Sequence, residues 1–322
     1  MRQAAVLDVG CHSVLLTVAR REAGGGLRPV LTRKVRLGLG QALGADGRLR
    51  KPGVRSVEEA VTEALFADPH VPLPEVFAFA TSVIRDAPNR GEIIDRVART
   101  TGIRLQVLPG EEEARLAYVA ARQWAGAAAG ELLVLDIGGG TLETASGSGA
   151  VPRTVCSLPL GARRVTRELL PGGVAPSARH LAAARRHLRR SLAEVDGLPG
   201  AEPGADVVAC SKTFAQLARL AAATASPRLR PRLRSRLTLG ALQAVITLMA
   251  GTSPARRNEL PGISSHRAEQ ALAGALVAEA LMEACDADTV TICPWSTREG
   301  LLLEQLGAGV FTAGTRSGAR AA

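Results

Sequence analysis

Short apolar blocks alternate with amphipathic stretches along the chain. Residues 4–9 (AAVLDV) and 13–19 (SVLLTVA) read as two strands joined by Gly10-Cys11-His12, because apolar runs bounded by turn residues fit a buried sheet. Residues 28–37 predict a third strand. Ser56, with Glu59 three residues on, has capping-box spacing and predicts a helix start. Residues 75–80 predict a buried strand, and Pro88 opens a helix to about Thr100, closed by Gly102. A strand follows at 104–108, then a helix at 111–124 after the Pro109-Gly110 turn.

The opening pattern then returns. Residues 132–137 (LLVLDI) are an apolar strand, followed by Gly138-Gly139-Gly140 and a returning strand at 141–146. Both copies read strand, Asp, small apolar residue, Gly, tight turn, strand, beginning at Asp8-Val9-Gly10 and Asp136-Ile137-Gly138. Helices are expected at 161–170, 177–196, 213–223, 239–251, 264–285 and 297–306, with strands at 206–210 and 289–293. Strands alternating with helices predict an α/β fold of two lobes, each a mixed sheet flanked by helices, with a cleft between them. The expected division is 1–126 for the first lobe, with helix 297–306 a candidate to complete it, 127–296 for the second, and a flexible tail at 307–322.

Composition trims the list of functions. The chain has 322 residues, 46% of them hydrophobic, enough for two cored domains. Its net charge of +10 attracts anions. All but three of the 40 basic residues are arginine, however, which equally reflects a compositional habit. Aromatic residues are only 2%, too few for the stacking platforms of single-stranded nucleic-acid binders. Nucleic acid is therefore not an expected partner. The five cysteines show no metal-ligand spacing and fit a reducing compartment. No apolar run is long enough to span a membrane. With no leader-like start, a cytoplasmic location is the expectation.

The two Asp-x-Gly loops carry the chemistry. Glycines let successive backbone N–H groups converge on phosphate oxygens. The Asp at each strand end can hold hydrated Mg²⁺, which favours one or two carboxylates plus water. Neither loop has the G-x-G-x-x-G spacing that opens a helix, so a dinucleotide site is not expected. Ser211-Lys212-Thr213 lacks the upstream glycine of a P-loop. No Ser-His-Asp or Cys-His constellation is visible. Alternating arginines at 228, 230, 232, 234 and 236 form either a rail for a long polyanion or a solvated loop.

The sequence resembles the exopolyphosphatase/guanosine pentaphosphate phosphatase (Ppx/GppA) family, within the actin, Hsp70 and sugar-kinase superfamily. The runs that carry the likeness are VLDVG (6–10), TSVIRDAPN (81–89), GEEEARLAY (110–118), LDIGGGTLE (135–143), SLPLGARRVT (157–166), PGISSHRA (261–268) and STREGLL (296–302). They lie in order over about residues 4–306 and look most like the short two-domain members. The resemblance implies two actin-like (ribonuclease H-like) lobes. It also implies a Mg²⁺-dependent phosphoanhydride hydrolase acting on short polyphosphate or guanosine pentaphosphate, with polyphosphate or guanosine pentaphosphate or tetraphosphate as binding partners.

By position, the resemblance makes Glu113 the catalytic carboxylate, although Glu111, Glu112 and Glu113 equally suit the positive end of a helix. It places Asp136, Glu143 and Asp8 at the metal, and Arg85 on the transferring phosphoryl group. Gly10, Cys11, His12 and Ser13, with Gly138, Gly139, Gly140 and Thr141, become the two phosphate loops. Lys212, Thr213 and Arg267 become further phosphate contacts. Family analogy points to a homodimer built on long helices such as 264–285. The family usually writes Ser-Asn where this chain has Cys11-His12. Cys is a weak donor and His is larger. That substitution keeps open a second reading, a polyphosphate- or alarmone-binding regulator with little turnover. A small-molecule kinase would need an adenine pocket that the sequence does not display.

Overall fold

The computed structural model describes residues 2–22, 26–68, 70–126, 128–170, 172–225 and 235–307. The first lobe is built on β1 (Gln3–Val9), β2 (Ser13–Arg21), β3 (Leu27–Arg36), β4 (Val76–Ala80) and β5 (Gln106–Val107), in the order β3-β2-β1-β4-β5. β1 pairs antiparallel with β2 and parallel with β4. Short helices α1 (Leu39–Ala42) and α3 (Ser82–Arg85), and longer helices α2 (Lys51–Phe66), α4 (Arg90–Thr101) and α5 (Gly110–Ala125), complete this half of the chain.

The second lobe repeats the plan. Its strands are β6 (Leu132–Ile137), β7 (Leu142–Gly147), β8 (Thr154–Leu158), β9 (Asp206–Ala209), β10 (Arg236–Thr238) and β11 (Thr289–Ile292). The sheet order β8-β7-β6-β9-β11 matches that of the first lobe, and β10 adds one edge strand. Around it lie α6 (Ala162–Leu169), α7 (Ala178–Ala193), α8 (Lys212–Thr224), α9 (Leu239–Ala250) and α10 (Ala268–Ala284). Duplicated topology, with a hairpin feeding a parallel strand in each sheet, is the actin-like architecture expected from the sequence.

Two helices bind the lobes together. In α5, Leu116 faces the first lobe with Val6 and Phe79, while Ala117, Tyr118 and Ala121 face Leu132 and Val134 of the second. The last helix, α11 (Thr297–Gln305), sets Leu301 and Leu302 into the same cluster as Val6 and Phe79. Gly300 permits this packing: a Cβ there would collide with the Leu116 backbone. Burying such apolar faces supplies most of the stabilisation, at about 25 cal/mol per Å² removed from water.

Several expectations change. Ser56 does not start a helix. The helix begins at Lys51, with Pro52 in its first turn, and the Ser56 hydroxyl donates to the Pro52 carbonyl at 3.0 Å. Pro favours that first-turn position because its missing N–H is not needed there. The expected 88–100 helix starts at Arg90, and Gly102 closes it with φ +74°. The 264–285 helix is a 3₁₀ turn at Ser265–Arg267 leading into α10. α10 is buried continuously from Gln270 through Met282 inside its own lobe. Arg228, Arg230, Arg232 and Arg234 lie outside the described residues, while Arg236 is exposed on β10.

Candidate active site

The two Asp-x-Gly hairpins turn identically. Gly10 N–H donates to Ser13 O at 2.9 Å, and Gly138 N–H donates to Thr141 O at 2.9 Å. In the second loop the carbonyls of Gly138, Gly139 and Gly140 accept from the first turn of α6 and from Gly161. This pins the loop. The N–H groups of Gly139 and Gly140 have no acceptor among the described residues, so they are available to an anion.

Each loop reaches the opposite lobe. Gly140 lies so close to Ser82 of α3 that a Cβ would sit 2.5 Å from its hydroxyl. Cys11 Sγ accepts from Arg163 Nη1 at 2.9 Å. His12 packs on His266 with ring centroids 5.1 Å apart, and its Nε2 lies 3.3 Å from Gln270 Nε2. Burial, with Arg267, His266 and Arg163 nearby, pushes the His12 imidazole down to about 3, so it is neutral. The Cys11 and His12 side chains are both occupied by contacts between lobes.

Four acids face the gap between the hairpins. Glu113 lies in the first turn of α5, is 8% exposed, and accepts from Arg85. Arg85 also donates to the Leu108 carbonyl at 3.2 Å and pairs with Asp86 at 3.2 Å. Burial raises Glu113 to about 7; Arg85 opposes, while Asp136, Asp8 and Asp86 add to the rise. Asp136 accepts from the Ser296 hydroxyl, and burial lifts it to about 6. Glu143 stands directly opposite Asp136 in the β6–β7 register and accepts from Ser157 Oγ at 3.1 Å. Burial, then Glu113 and Asp136, push Glu143 well above the usual carboxylate range.

Asp8 is also raised to about 6 by burial, with Arg298 opposing. Its Oδ1 is buried and has no hydrogen-bond partner among the described residues. No group of three or more His, Cys, Asp or Glu among the described residues forms a ready metal cage. Mg²⁺ does not need one, since it keeps several waters and takes one or two carboxylates. An orphaned Asp8 oxygen in a site dense with acids fits a hydrated Mg²⁺.

Cations line the rim. Arg267, at the start of α10, faces Asp136 and Cys11. Lys212 is exposed, and burial of part of its side chain together with Arg298 and Lys34 lowers its titration. The Thr213 hydroxyl donates to Ile137 O at 2.8 Å, bracing the second loop, so Thr213 keeps only its backbone N–H for an anion. Ser211, just before, holds φ +57° while capping α8. Ser13 opens β2.

Sequence reasoning did not single out Ser296, Arg298, Arg163 or Ser157. All four lie inside the STREGLL and SLPLGARRVT runs, whose individual side chains had no visible role. Arg298 has a buried Nε without a partner among the described residues and pairs with Glu299 through Nη2. Arg164 adds a 3.5 Å pair to Asp86 across the lobes.

The model of the Ppx/GppA phosphatase family matches residues 17–308. "Exopolyphosphatase 1" of Mycobacterium tuberculosis is 43% identical over 94% of this chain and 87% of its own length. The protein of the same name from Mycobacterium leprae is 42% identical over 94% and 88%. The crystal structure of the Aquifex aeolicus Ppx/GppA family member superposes with a TM-score of 0.77 at 26% identity, covering 94% of this chain and 97% of that one. The two hairpins, the acids between them and these likenesses lead to one statement: the chain belongs to the Ppx/GppA phosphatase family.

Proposed function

We propose that the chain is a Mg²⁺-dependent exopolyphosphatase that removes the terminal phosphate of short inorganic polyphosphate, with guanosine pentaphosphate as the other candidate substrate. Glu113 carries the reading. A nearly buried carboxyl poised at about 7 beside the two Asp-x-Gly loops suits a general base at neutral pH. The exopolyphosphatase names of the mycobacterial relatives support the polyphosphate choice.

In the mechanism, a water beside Glu113 attacks the terminal phosphorus and its proton passes to the Glu113 carboxylate. The bridging P–O bond breaks, and the shortened chain leaves with that electron pair. The N–H groups of Gly139 and Gly140, with Arg85, Arg267 and Arg298, offset the charge on the equatorial oxygens. Asp8 and Asp136 would hold Mg²⁺, which when bound neutralises phosphate charge. Glu143, whose burial favours its protonated form, offers a hydrogen bond beside Asp136.

The test is phosphate release from tripolyphosphate, long-chain polyphosphate and guanosine pentaphosphate, with Mg²⁺ and with EDTA. Release from at least one substrate that stops with EDTA is expected. Tight binding by calorimetry without release would overturn the hydrolase. It would favour the binding regulator that the Cys11-His12 substitution keeps in view.

A further inference from the structure

A second cavity opens between the lobes beside His12, with a volume of about 430 Å³. None of Glu113, Asp136, Glu143 or Lys212 lines it. The volume lies within the roughly 300–1,000 Å³ of small-molecule sites. Its walls are largely apolar: Leu37 and Leu43 from the first lobe face Leu170, Val174, Pro176 and Pro254 from the second.

Arg257 sets the character of this space. It is 2% exposed and lines the cavity. Its Nε donates to the Met249 carbonyl at 3.1 Å, but its Nη2 is buried and has no partner among the described residues. No acid among those residues pairs with it, and burial alone pulls its titration down. Of the other cations on the lining, Arg163 donates to the Cys11 thiol and Arg167 lies 3.7 Å from Glu168 on the surface. Glu269, the acid on the lining, is exposed. An unpaired buried charge is strongly unfavourable, whereas a buried charge with its counter-ion is tolerated. The combination of a largely apolar chamber and a buried guanidinium that no acid neutralises selects for a particular chemistry.

We propose that this cavity binds a small organic anion, an apolar body carrying one phosphate, carboxylate or sulfonate group, with the acidic group paired to Arg257. Because the walls come from both lobes and include His12 of the first loop, the occupant touches both halves of the molecule.

The probe is 8-anilinonaphthalene-1-sulfonate, an aromatic sulfonate whose fluorescence rises in apolar surroundings. Titration without substrate lets the cavity and the hydrolase reading fail separately. Wild type is expected to give saturable, single-site enhancement. Arg257→Met, which keeps an unbranched stem and removes the charged head, weakens binding at least tenfold. Thr166→Trp, which fills the chamber from α6 and leaves Arg257 intact, abolishes it. Thermal unfolding of both variants reports whether they fold, and loss of one to misfolding leaves the other to decide. Equal binding by all three proteins, or no saturable binding by wild type, would overturn the proposal. Loss in Thr166→Trp with full binding in Arg257→Met would overturn the anion pairing.

Discussion

The two hairpins share a fold and a turn but divide the work. In the first, Asp8 stands opposite Leu15; in the second, Asp136 stands opposite Glu143. The first turn carries two side chains, Cys11 and His12, that grip the other lobe. The second carries three glycines and is gripped instead, by α6 and by Ser82. Duplication fixed the backbone plan, and divergence made one loop a clasp and the other a bare cradle. Steric room is therefore the property of the second loop, and side-chain identity the property of the first.

The sharpest way to break that contrast is a matched pair of glycine substitutions. At Gly140 a Cβ would meet Ser82 at 2.5 and 2.9 Å, whereas at Gly10 the nearest atom is Ser13 O at 3.4 Å. Overpacking of this kind costs about 1–3 kcal/mol. Gly140→Ala should lower the melting temperature by several degrees and disturb phosphate release, while Gly10→Ala melts near wild type. Equal melting temperatures would remove the cradle. The clasp is tested next by the double change Cys11→Ser, His12→Asn. It restores small donors and should lower KM for tripolyphosphate by up to about tenfold, the equivalent of one charge-assisted contact. An unchanged KM would mean that the first loop's side chains do not bear on substrate.

The smallest expected effect concerns Glu143. Its titration is raised in the fold, so the native state holds a proton that the unfolded chain has released. Stability from that carboxyl is present at low pH and falls as pH rises toward its folded value. Glu143→Gln does not titrate. It should therefore melt near wild type at pH 5 and gain on it as pH rises to 8. A variant that loses ground with rising pH would show Glu143 to be ionised and paired in the native state.

Much of this was legible in the sequence because it rests on period and punctuation. The strand–Asp–x–Gly–turn–strand repeat shows in apolar runs and glycines, and the duplicated sheets follow from it. Glu113 was visible as an acid at a helix start, but its burial was not: that depends on α11 returning across α5, a contact between distant parts of the chain. Ser296, Arg298 and Arg163 were hidden for the same reason, since Ser and Arg acquire roles only through partners such as Asp136, Asp8 and Cys11. Ser56 misled because its capping spacing was local, whereas Pro52 and the core contacts of Val54 and Val57 set the true start. Arg257 gave no signal at all, as an unpaired buried cation is defined only by what surrounds it.

The central claim is that Glu113 takes the proton of the attacking water, and the pH dependence of phosphate release tests it most directly. In wild type with Mg²⁺, release from tripolyphosphate should rise with pH along a limb centred near 7, as Glu113 ionises. Glu113→Gln should lose that limb and fall by about 10²–10⁴-fold, the usual contribution of a general base. A Glu113→Gln variant that keeps both the rate and the limb would contradict the account.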